Sequence, residues 1–136
     1  MSDPPRPRRR VVEATARRPP AELQSIRVIV DRDQDTDVSF MNEEGFEDRR
    51  AEYERNDFHF VTVRAVAEVA IEGVVQTLMS GGLGGVESDA DNEEFVDIAM
   101  EEYAQLRKIL KTIGVPTAQL PAADPEQVRV WMEWRE

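Results

Sequence analysis

The hydrophobic residues of this chain change their period once, and that change restricts the fold more than any other feature. Between Phe58 and Ile71, the residues Val61, Val63, Ala65, Ala67, Val69 and Ile71 alternate with Thr62, Arg64 and Glu68. A two-residue repeat is that of a strand with one buried face. Glu72-Gly73 is a tight-turn signal, so Val74–Met79 is expected to return as a hairpin partner. From Asn92 to Ile113 the repeat becomes helical. Phe95, Ile98/Ala99, Glu102/Tyr103, Leu106, Ile109/Leu110 and Ile113 form a stripe wide enough to cover the sheet's apolar face. Asp89 or Asp91 is a suitable N-cap, Glu93 and Glu94 complement the helix dipole, and Gly114 with Pro116 ends the helix.

Shorter elements complete the expected fold. Ser25–Val30 is a β-branched strand, and Asn42–Asn56 has Phe46, Arg50, Ala51 and Tyr53 near helical spacing. Residues 125–135 are ambiguous. Asp124-Pro125-Glu126 starts a helix, whereas Val128, Val130, Met132 and Trp134 alternate as a strand does. The predicted class is α+β: an antiparallel sheet of about three strands with the 92–113 helix packed on one face. Residues 1–23 carry five of the chain's eight prolines and read as a disordered Arg/Pro-rich tail, leaving 24–136 as one domain.

Between the two periods lies Ser80-Gly81-Gly82-Leu83-Gly84-Gly85-Val86-Glu87-Ser88-Asp89-Ala90-Asp91. Glycine at this density lets a strand end bend, bulge or be approached closely. Gly81, Gly82, Leu83, Gly84, Gly85, Glu87, Ser88, Asp89 and Asp91 are the candidate binding residues. The run SGGLGGVESD, with a strand before it and a Glu/Leu-rich helix after it, resembles an uncharacterised family of small proteins from bacterial genomes, phages and mobile elements. The motif of that family reads Ser-Gly-Gly-Leu-aromatic-Gly-Ile/Val-Glu-Ser-Asp. The resemblance extends upstream through Tyr53–Phe58 and downstream to about Gly114, and Gly84 replaces its aromatic residue. It implies a shared fold and brings no activity with it.

Charge and composition limit the chemistry. Net charge is −11, yet residues 1–20 hold six Arg against Asp3 and Glu13, a net of +4. The other 116 residues hold 11 basic and 26 acidic side chains, a net of −15. Such a body repels nucleic-acid backbones, so nucleic acid or an anionic surface is expected to bind only through the tail. Cysteine is absent, which removes thiol nucleophiles and thiolate metal sites. No apolar run is long enough to span a membrane, the basic N-terminus lacks a signal peptide's apolar segment, and a cytoplasmic setting is expected.

The remaining catalytic motifs fail on their details. Asp31, Asp33, Asp35 and Asp37 imitate the opening of a calcium loop, but Thr36 stands where glycine is needed and Asn42 where a bidentate Glu is needed. SGGLGG lacks the Gly-Lys-Ser/Thr of a phosphate loop. His59, the only histidine, lies on a strand between two phenylalanines. Glu87, Asp89 and Asp91 remain, and they suit either helix capping or a Mg²⁺/Mn²⁺ site. The expected function is a small acidic, non-enzymatic interaction or regulatory module that needs no cofactor and binds another protein. The alternatives are a metal-assisted hydrolase or nuclease using Glu87, Asp89 and Asp91, or an acidic DNA mimic.

Overall fold

The computed structural model describes residues 21–135. The chain runs β1 (Ala21–Arg32), a 3₁₀ turn (Ser39–Asn42), α1 (Glu47–Glu54), β2 (Phe60–Ile71), β3 (Val74–Met79) and β4 (Leu83–Glu87). It continues with α2 (Asn92–Thr112), a second 3₁₀ turn (Thr117–Gln119), α3 (Pro125–Trp131) and β5 (Met132–Trp134). The class is α+β, as the change of period requires, but the sheet has five strands rather than three. Ala21–Leu23 belong to β1, so the domain includes the last three residues assigned to the tail, and residues 1–20 lie outside the described residues.

β2 is the spine of the sheet. Along one side it pairs antiparallel with β1, from Ala21 opposite Ile71 to Arg32 opposite Val61. Along its other side lie β3 and β4, end to end. Glu72 and Gly73 make the β2–β3 turn with φ of 51° and 84°, the left-handed backbone that tight hairpins need. β5 adds parallel to β1, with Val28 opposite Met132 and Val30 opposite Trp134. Both readings of residues 125–135 are therefore realised in succession. Asp124 caps α3 by accepting from the Gln127 amide at 2.9 Å, and the chain turns into a strand one residue after Trp131.

α2 covers one face. Tyr103, Leu106 and Leu110 are fully buried against Ala65, Ala67 and Val69, and the small β2 side chains leave room for the tyrosine ring. Toward the helix start, Phe95, Val96 and Ala99 pack on Val28, Val30, Val61, Val63 and Val86. Phe60 projects to the opposite face from Val61. There it joins Met41 and Phe58, with Tyr53 and Phe46 at the margin, in a separate aromatic cluster beneath α1. No helix among the described residues is long and apolar enough to cross a membrane.

Candidate functional site

The glycine-rich run is a break in one long hairpin arm. Between the pairs Val66/Met79 and Val63/Leu83, β2 advances three residues and its partner arm four. Between Val63/Leu83 and Val61/Val86 it advances two against three. Each extra residue is a bulge, and together they turn β4 out of line with β3.

A buried polar latch holds the first bulge. The Ser80 amide donates to the Ala65 carbonyl, and Ser80 Oγ accepts from the Ala65 amide, both at 2.9 Å. The hydroxyl then donates to Glu102 Oε1 on α2 at 2.7 Å, and the same oxygen accepts from the Gly82 amide at 2.8 Å. Gly82 can present that amide because it adopts φ of 85°, where a side chain is strained. Ser80 and Glu102 are both buried, so the carboxylate has exchanged hydration for these donors.

Asp33 holds the second bulge from the far side of β2. Its Oδ2 accepts from the Gly85 amide at 2.9 Å, and a Cβ built on Gly84 would lie 2.5 Å from that oxygen. Asp33 is held below the usual carboxylate range by a hydrogen bond from Thr36 and then by the Gly85 and Asp35 amides. The acidic loop is thus a set of turn-makers, since Asp37 likewise accepts from the Ser39 amide at 2.9 Å.

The carboxylates beyond β4 divide between two tasks. Glu87 and Asp89 converge on Arg49 of α1, whose Nε donates to Glu87 at 2.7 Å and whose Nη1 donates to Asp89 at 2.9 Å. The guanidinium also lies 3.5 Å above the Phe58 ring and pairs with Glu52 at 3.0 Å. Its hydrogen bonds hold Asp89 below the ordinary carboxylate pKa. Asp91 turns away and caps α2, accepting from the Glu94 amide at 2.9 Å. Among the described residues no cluster of three or more His, Asp or Glu is arranged to hold a metal ion. Ser88 stands beside His59, but its hydroxyl accepts from the His59 backbone amide at 2.9 Å and leaves the imidazole aside.

Of the candidate residues, Leu83, Gly84, Gly85, Glu87 and Asp89 are brought together along the outer edge of β4. Leu83, 43% exposed, and the bare backbone of Gly84 and Gly85 border an open groove of about 580 Å³. Val86, Ala90 and Ile98 also line it, together with Arg49, Glu87, Asp89 and Glu94. Gly81 and Gly82 lie at the latch instead, where the Gln105 side chain also meets the Gly81 amide at 3.4 Å. Three structural partners escaped the sequence reading: Arg49, Asp33 and the buried role of Glu102. Arg49 and Asp33 act across 38 and 52 residues of chain. Glu102 alone left a local signal, as a carboxylate within an apolar stripe.

Comparison with protein-family models, with curated proteins and with solved structures finds no match for this chain.

Proposed function

We propose that the chain is a small acidic interaction module that binds another protein without catalysing a reaction, through the outer edge of β4. The observation that carries this reading is the groove beside Leu83–Glu87. There a strand edge with no partner among the described residues, stripped of side chains at Gly84 and Gly85, adjoins exposed Leu83. An open edge offers backbone donors and acceptors to an extended segment, and an apolar residue beside it adds a side-chain pocket. Glu94 beside the groove favours a segment with a basic side chain, whereas Glu87 and Asp89 are already engaged by Arg49. That same engagement weighs against the metal-assisted hydrolase, which needs both carboxylates free. The motif's resemblance to phage and mobile-element proteins and the cytoplasmic setting belong to the same proposal.

The test is an affinity capture with wild type and Leu83→Asp, each checked for unchanged circular dichroism. Proteins held by the wild type should be lost from the variant. A partner retained equally by both would remove the β4 edge from consideration.

A further inference from the structure

β3 forms one edge of the sheet, in line with β4, and nothing among the described residues covers it. Such edges are ordinarily protected by charge, proline or brevity. This one has none of those protections. In a chain of which 33% is charged, the fourteen residues Gly73–Val86 contain no charged side chain, the longest such run in the sequence. Val74, Val75 and Met79 are 58%, 56% and 45% exposed. We propose that β3 pairs antiparallel with β3 of a second copy about a two-fold axis at Thr77, joining the two sheets into one.

Charge and register select a second copy and this alignment. Outside the first twenty residues the chain carries a net charge of −15, so two copies repel across most of their surfaces, and the uncharged edge is where they can approach. An isologous contact must be self-complementary. Centring on Thr77 sets Val75 opposite the second copy's Met79 and Met79 opposite its Val75, on the face of the sheet away from α2. It also sets the two Thr77 residues against each other, a favourable cross-strand pair. Val74–Ser80 then lies along Val74–Ser80 of the second copy without meeting a charge.

The ends of the paired segment add a specific interaction. In this register the β2–β3 turn of each copy, with Glu72, is carried toward the Ser80–Gly82 bulge of the other. Gly82 rests on Arg64, with its Cβ position 3.6 Å from Arg64 Nε, and that buried nitrogen has no hydrogen-bond partner among the described residues. Glu72 of the second copy is placed to pair with the outer end of the Arg64 guanidinium, whose Nη1 meets Met79 Sδ at 3.6 Å on the exposed edge, twice by symmetry. Strand spacing of about 4.8 Å separates the two β2 strands by roughly 14 Å, which exceeds the 8–10 Å at which helices pack, so the α2 helices do not collide. Pairing ends at Ser80, ahead of β4, so the β4 groove stays open and this inference stands apart from the function proposed above.

Analytical ultracentrifugation of the full chain tests it, with circular dichroism and thermal melting as folding controls. At about 100 µM, enough to populate a dimer of micromolar affinity, the wild type should sediment at twice its 15.5 kDa mass. Thr77→Lys, which places like charges face to face on the axis, should give a folded monomer. Arg64→Glu and Glu72→Arg should each weaken self-association by about tenfold or more, because each puts two like-charge pairs in the contact. Mixing these two variants should restore the dimer, since both ion pairs re-form between unlike copies. Compensation within one copy is ruled out, because eight strand residues separate positions 64 and 72 by about 26 Å. A monomeric wild type, a dimeric Thr77→Lys, or a mixture that stays monomeric would overturn the proposal.

Discussion

Arg49 shows how a single side chain can tie together two others. Glu87 and Asp89 have the acidity, spacing and glycine-rich surroundings of a metal site, yet a guanidinium from an element 38 residues upstream lies between them. Each of these half-exposed ion pairs contributes at most about 1 kcal/mol. The stacking on Phe58 adds a similar amount and fixes the guanidinium in place. A pH dependence follows from the lowered Asp89 pKa. A carboxylate that titrates lower in the folded state contributes stability above its unfolded pKa, near 3.8, and loses it as the pH falls through the folded value. Asp33 has the same sign, from its Thr36 and Gly85 hydrogen bonds. The melting temperature should therefore fall as the pH drops below about 4. Asp89→Asn should melt lower at neutral pH and show a shallower acid limb than the wild type. Parallel acid limbs would show that Asp89 does not couple to folding.

At the scale of elements, α2 carries most of the core. Leu106 is fully buried between Tyr103 and Leu110 on the Ala65–Val69 face, so Leu106→Ala should cost about 2–5 kcal/mol in denaturant unfolding. A change below about 0.5 kcal/mol, the range of ordinary surface substitutions, would mean that the buried face is misassigned. Both the strand β2 and this helix are readable from the sequence because their repeats are long and their buried faces unbroken. β4 is not readable in that way. Its pairing with β2 depends on two bulges, and bulges erase the alternation by which a strand is recognised. Residues 125–135 resist reading for another reason, since seven helical residues followed by three strand residues are each too short to show a period. The candidate residues themselves were legible as a glycine–acid segment. Their separation into latch, groove and cap was not, because it is imposed by Glu102, Asp33 and Arg49 from other parts of the chain.

For the molecule as a whole, one side of the sheet ends in β5, whose partner β1 lies more than a hundred residues earlier. Trp134 stands edge-on to Phe95 with ring centroids 4.8 Å apart, and the Arg135 amide donates to the Val30 carbonyl at 2.8 Å. Removing residues 132–136 deletes that strand and uncovers the β1 edge. The melting temperature should drop by at least about 4 °C, roughly the equivalent of 1 kcal/mol in a domain of this size. An unchanged melting curve would mean that the pairing contributes nothing. The β1–β5 ladder also has a bearing on synthesis. β1 can pair with β2 as soon as the hairpin leaves the ribosome, but its other edge has no partner until residue 134 is made. Throughout that interval Val28, Ile29 and Val30 present an open strand, the kind of surface that chaperones and neighbouring nascent chains recognise. Translation rate across α2 and α3 therefore sets how long each new molecule is exposed to misassembly.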